Sequence, residues 1–168
     1  ILAALTGLSG LWPAVRLSQG PARRRRREAA TQPLVDWVGL ILIWQVVLWP
    51  VYALLPWPLI QVVWLDVAVI GWALLMALLI GLGRASGGGT ARMLAMVGCV
   101  ALVVVEPAFQ AGWNALVPTG LAWVGPLRLS PIEMLWALTA PPGYFTLEPW
   151  RSQALAVLVA AGLGWLLM

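Results

Sequence analysis

Two carboxylates and one block of arginines are the residues whose types and positions could do chemistry. Asp66 and Glu106 each sit inside a long apolar stretch. An ionised carboxylate at the centre of a bilayer costs about 2.5 kcal/mol or more, and such groups are often functional. Asp66 is eight residues past Pro58, roughly 12 Å along a helix that rises 1.5 Å per residue. At that depth it is either a functional group or a local polar contact that still reaches interfacial water and headgroups. Glu106 lies deeper, fourteen residues from Arg92 and next to Pro107. Proline removes a backbone donor and loosens the turn before it. The Glu106-Pro107 pair therefore reads as a proton site or hinge, or as a protonated acid bonded to a freed carbonyl. The two acids do not have metal-ligand spacing, and no further oxygen ligands recur near them.

The run Arg23, Arg24, Arg25, Arg26 and Arg27 supplies half of the ten basic residues, all of which are Arg. Such a block cannot enter hydrocarbon, so it fixes the side of a bilayer on which its neighbours lie. Basic blocks also bind nucleic acid. Among spans of apolar sequence, the expected role is a cytoplasmic anchor for anionic headgroups or a cytosolic partner, not nucleic acid.

Composition narrows the chemistry further. There is no histidine, which removes imidazole ligation of haem, chlorophyll or zinc and Ser–His catalysis. Cys99 is the single cysteine and can form no internal disulfide. Gly87-Gly88-Gly89-Thr90 lacks the spacing of a phosphate loop and reads as a turn. No cofactor and no resident metal are expected.

The elements that must carry these groups are membrane spans. The chain has 168 residues, is 62% hydrophobic and only 10% charged, where a soluble domain carries about 25% charge. Mean hydropathy is +0.92. At about 20 residues per span, the length allows five spans plus loops. The expected fold is an all-α, polytopic integral membrane bundle of about five transmembrane helices, with short re-entrant or interfacial helices.

The spans fall at about 1–17, 35–55, 59–82, 93–117 and 152–168, in a single transmembrane domain. A basic cytoplasmic loop, 18–34, follows the first, with room for an interfacial helix over 22–31. Pro50 is expected to kink the second span, and Pro56-Trp57-Pro58 to form a tight turn after it. The outer region 118–150 is rich in Pro and Trp; its apolar pieces, 121–127 and 132–138, are too short to cross. Ser130-Pro131-Ile132-Glu133 has the order of a helix start.

With Arg23–Arg27 inside, Arg84 and Arg92 fall on the same side, as the positive-inside rule requires, and the C-terminus is cytoplasmic. The expected location is the cell inner (plasma) membrane. Trp57, Trp64, Trp113, Trp123, Trp136 and Trp150 then fall near the outer interface. They read as an aromatic belt or as a groove for lipid or pigment.

From the Arg run onward, the order of features resembles the permease subunits of ABC-2 type transporters. Leu48-Trp49-Pro50-Val51-Tyr52 looks like the proline-containing stretch late in their third span. Ala77 to Ser86, with Gly81 and Gly83, is similar to the small-residue end of their fourth. Leu129-Ser130-Pro131-Ile132-Glu133 looks like the polar-Pro step before their last span. Segment 18–34 takes the place of their coupling segment, and the family's first span would precede Ile1. One departure stands out: five arginines occupy the position where that family often carries Glu, Gly-Thr and a leucine pair.

The resemblance implies a permease subunit without its own nucleotide site, a cytosolic ATPase subunit and a second permease half as partners, and joints at Gly83–Gly89 and Glu106-Pro107. Such a subunit is not itself an enzyme. The alternative is a non-catalytic accessory subunit of a large respiratory or photosynthetic membrane complex, packed against other membrane subunits and holding lipid or pigment. A lipid-modifying membrane enzyme using Asp66 or Glu106 is a third reading.

Overall fold

A computed structural model of the chain describes residues 11–18, 26–116, 131–139 and 148–168. Within helical residues 26–30, at Glu106, and at several positions elsewhere, only the backbone is described. The described residues are all helical apart from short turns, with no strand. In chain order the helices are α1 (Trp12–Ser18), α2 (Arg26–Leu54), α3 (Leu59–Ala85), α4 (Gly89–Leu116), α5 (Pro131–Leu138) and α6 (Glu148–Leu167).

Three segments are long and apolar enough to cross a membrane: Thr31–Leu54, Leu59–Ala85 and Trp150–Leu167. The expected count of about five spans is not reached among the described residues. Residues 1–10 of the expected first span lie outside them. In the fourth, the apolar part is the shorter piece Gly89–Val105, although the helix runs on to Leu116.

The organising element is α3. It touches α1, α2, α4, α5 and α6, and its sequence explains why: apolar residues occur all round it, which suits a helix enclosed by neighbours. It starts directly after Pro58, whose extended backbone (φ −65°, ψ 141°) leads into the first turn. It stops where Ser86 bonds back through its hydroxyl to the carbonyls of Leu82 and Gly83, both at 3.1 Å. Gly87 follows at φ +69°, the left-handed conformation that a helix C-terminus favours and that glycine adopts without a Cβ clash. Arg92 N–H then bonds Gly88 C=O at 3.3 Å and opens α4.

α2 and α4 run antiparallel to α3, whereas α6 runs parallel to it. Trp37 and Trp44 of α2 meet Ile70 and Asp66 of α3, in falling order. On α6, Arg151 meets Trp64 and Leu158 meets Gly71, in rising order. Those two contacts are seven residues apart on both helices, the repeat that keeps two helices side by side through a shallow left-handed crossing.

The core lies at the α3 N-terminal half. Val62, Leu65, Ala68, Val69 and Trp72 pack with Met134, Leu135 and Leu138 of α5, with Trp150, Ala154 and Val157 of α6, and with Leu48 of α2. α5 therefore lies inside the bundle's packing, with Gln61 donating to its last carbonyl, Leu138 O, at 2.7 Å. Its start at Pro131 suits a residue with no N–H to leave unpaired.

Several boundaries differ from the sequence reading. α2 begins at Arg26, inside the expected loop 18–34, and remains one helix through Pro33 and Pro50. Pro33 is the eighth residue of α2 and lies past the four N–H groups that lack a partner, so each of the two prolines removes one hydrogen bond of the ladder without ending the helix. α4 likewise continues through Pro107. Of the Trp expected in a belt, Trp150 is only 4% exposed and is part of the core. The side chains of Trp113 and Trp136, and the whole of Trp123 and segment 121–127, lie outside the described residues.

Candidate functional site

Asp66 is the centre of a polar cluster between α2 and α3. Its Oδ1 accepts the indole N–H of Trp44 at 3.1 Å and the amide of Gln45 at 2.7 Å. Trp49 N–H in turn donates to Gln45 Oε1 at 2.8 Å. The spacing follows from helix geometry: Gln45 and Trp49 are one turn apart and share a face. The Trp49 ring also meets Tyr52 edge-on, with centroids 6.0 Å apart. Both donors come from adjacent residues of α2 and meet the same carboxylate oxygen. The same bonds tie α2 to α3 at mid-helix. Chemically, the cluster can hold a charge or relay a hydrogen bond from the exposed Trp49 to a partly buried carboxylate.

The second cluster lies at the opposite end of α3. Arg16 of α1 pairs with Asp36 of α2 at 2.5 Å, both partly buried. Arg84, at the end of α3, is close to Arg16, Asp36 and Arg92. Three arginines from α1, α3 and α4 therefore lie near one another, with Asp36 paired to Arg16 and close to Arg84. Asp36 Oδ2 and Arg84 Nη1 are buried and make no hydrogen bond. The helices can converge because Gly83 has no side chain: a Cβ there would come 2.6 Å from the Ala95 Cβ and 3.2 Å from Leu17 Cδ2.

Beside this cluster is an open groove of about 420 Å³ between α1 and α4. It is lined by Ala14, Leu17, Ser18, Gly89, Arg92, Met93 and Met96.

The sequence-derived candidates divide as follows. Asp66 is held by two donors from α2. Arg23, Arg24 and Arg25 lie outside the described residues, and Arg26 and Arg27 are placed only as the opening backbone of α2. Glu106 is placed by backbone alone within α4, and Pro107 is partly buried there. The contact between Asp66 and Gln45 escaped the sequence reading. The available signal was that Gln45 is the only amide between Trp37 and Leu55. Likewise Asp36 is the only acid between Thr31 and Leu65, yet nothing in the chain order pairs it with Arg16. Among the described residues, no group of His, Cys, Asp and Glu could hold a metal ion.

The chain matches no protein-family model, no curated protein and no solved structure.

Proposed function

We propose that this chain is a membrane-spanning permease subunit of a transporter, driven by a separate ATPase. The observation that carries the reading is the gathering of Arg16, Asp36 and Arg92 about Arg84 at one end of the bundle. That end also holds the start of α2 at Arg26. A basic platform at the end of a helical bundle is suited to an acidic cytosolic partner and to anionic headgroups. In this reading the basic end and the C-terminus face the cytoplasm across the plasma membrane. Asp66 and Glu106 are the intramembrane polar points, and Glu106-Pro107 is a joint. The ATPase and a second permease half complete the transporter.

A second reading, an accessory subunit of a larger membrane complex, is favoured by α2. Only 6% of its most apolar stretch is buried, against 61% for α3. That uncovered surface, with Val35, Leu42, Ile43, Val46 and Trp49 exposed, suits lipid or neighbouring membrane subunits.

The two are separated by purifying the tagged chain in mild detergent from its native membrane. The permease reading expects a stoichiometric ATPase with a Walker A motif, lost when Arg23–Arg27 are replaced by Gln. Redox or pigment proteins in its place would overturn the permease reading and support the accessory one.

A further inference from the structure

α1 is lightly held against the bundle. Of its seven residues only Pro13 and Leu17 are buried, and Val15 is 53% exposed. The open groove lies between it and α4, so that side is loosely packed. A polar tie runs to α2, where Arg16 Nη2 meets Asp36 Oδ1.

With α1 docked in this way, Trp12 Nε1, Asp36 Oδ2 and Arg84 Nη1 are buried without a hydrogen bond. A buried polar atom left bare costs its desolvation, and more when the group is charged. Trp12 is four residues before Arg16 and shares its face of α1. The other two atoms are an acceptor and a donor of opposite charge, and Asp36 and Arg84 are close to each other. Breaking a buried ion pair ordinarily strands one charge. Here a second guanidinium with a bare N–H already stands near the carboxylate.

We propose that Asp36 has two stations: Arg16, which docks α1, and Arg84, which takes the carboxylate when α1 lifts away. α1 is then a releasable latch, and the groove wall formed by Ala14, Leu17 and Ser18 moves with it. Release joins Asp36 Oδ2 and Arg84 Nη1, so neither remains bare. It also returns the Trp12 N–H to water or headgroups, both of which offer acceptors. What opposes release is the Arg16 bond and the seat of Leu17 against the Gly83 crossing. The two positions therefore differ by an exchange of partners and the burial of one leucine. The latch is independent of the transport reading.

The test uses the full chain in detergent, in a Cys99→Ala background, with spin labels on Val15→Cys of α1 and Val46→Cys of α2, both exposed positions. Their distance distribution should have one main peak in the parent, for docked α1. Arg16→Gln should shift and broaden that peak. Arg16→Lys keeps the charge but loses the planar fork, so it should shift the peak less. The second station is read separately, by proton–nitrogen NMR of the Arg84 guanidinium, assigned by its loss in Arg84→Lys. The Arg84 Nη protons should exchange with each other more slowly in Arg16→Gln than in the parent, because a carboxylate bond hinders rotation of the group. Adding Asp36→Asn should remove that slowing. Should Arg16→Gln fail to fold, Arg16→Lys carries both readouts. A label distance unchanged in the Arg16 variants, or Arg84 Nη protons that behave alike with and without the Arg16 guanidinium, would overturn the proposal.

Discussion

Gly71 of α3 lies directly against the backbone of Leu158 on α6. A Cβ at position 71 would stand 3.3 Å from the Leu158 nitrogen and 3.4 Å from its Cα. The neighbour is main chain, so it cannot rotate away as a side chain would. Gly164 makes the reciprocal contact on α6, against the end of the Leu78 side chain. Between them, Trp165 donates its indole N–H to Leu74 C=O at 3.3 Å. Without a hydrophobic drive between helices in lipid, small residues at close crossings are a main source of helix association.

Gly71→Ala should accordingly lower stability by about 1–3 kcal/mol, the range for forcing extra methyl groups into a packed contact. Gly162→Ala is the control, because nothing lies within 4 Å of its site and alanine is the better helix former. Thermal unfolding in detergent measures both. Equal melting temperatures for the two variants would show that α3 and α6 do not meet at Gly71.

The Asp66 cluster should be detectable as coupling between helices. In a double-mutant cycle of Gln45→Leu and Asp66→Leu, the coupling should be about 0.6–1.7 kcal/mol, as for other hydrogen bonds between membrane helices. Trp44→Phe should behave like Gln45→Leu, since each removes one donor to Oδ1. Additive effects of the two leucine substitutions would mean that the bond across α2 and α3 does not form.

At the basic end, Asp36 is the acid close to Arg16 and Arg84 among the described residues. Asp36→Asn should destabilise by about 1–3 kcal/mol, between the values for exposed and buried ion pairs. Arg16→Gln should cost less, because Asp36 then still faces Arg84. Raising salt should narrow the gap, since the neighbouring arginines repel each other through partly exposed space. The reverse ranking, measured by thermal unfolding at two salt concentrations, would contradict the cluster's geometry.

With 27 residues, α3 is about 40 Å long at 1.5 Å per residue, enough to cross a hydrocarbon core of about 30 Å. In a Cys99→Ala background, single cysteines at Pro56 and Gly88 should be labelled from opposite faces of sealed vesicles. Both positions flank α3 and are exposed. Labelling of both from one face would sink the spanning assignment.

Helix, span and turn were legible in the sequence wherever a local rule decides them. Apolar runs of sufficient length, proline at 56 and 58, and the Ser86-to-Gly89 breaker mark the ends of α2, α3 and α4, because each acts on its own neighbours in the chain. The start of α2 at Arg26 was not legible. The polar composition of 18–34 suggested a loop with room for a separate interfacial helix over 22–31, yet one helix runs from Arg26 into the span, since helical hydrogen bonding does not require apolar side chains. The fate of Trp150 was also hidden, since indoles suit both an interface and a core.

The sequence by itself determined that these segments are helical and too apolar for water, and that its charges gather towards one end. Tertiary structure alone decided which helix is central, which indole and amide reach Asp66, and that Arg16 pairs with Asp36. Composition is a property of each segment, whereas partner choice depends on how glycine faces let backbones approach. That approach is set by residues as far apart as Gly71 and Leu158, and no local pattern records it.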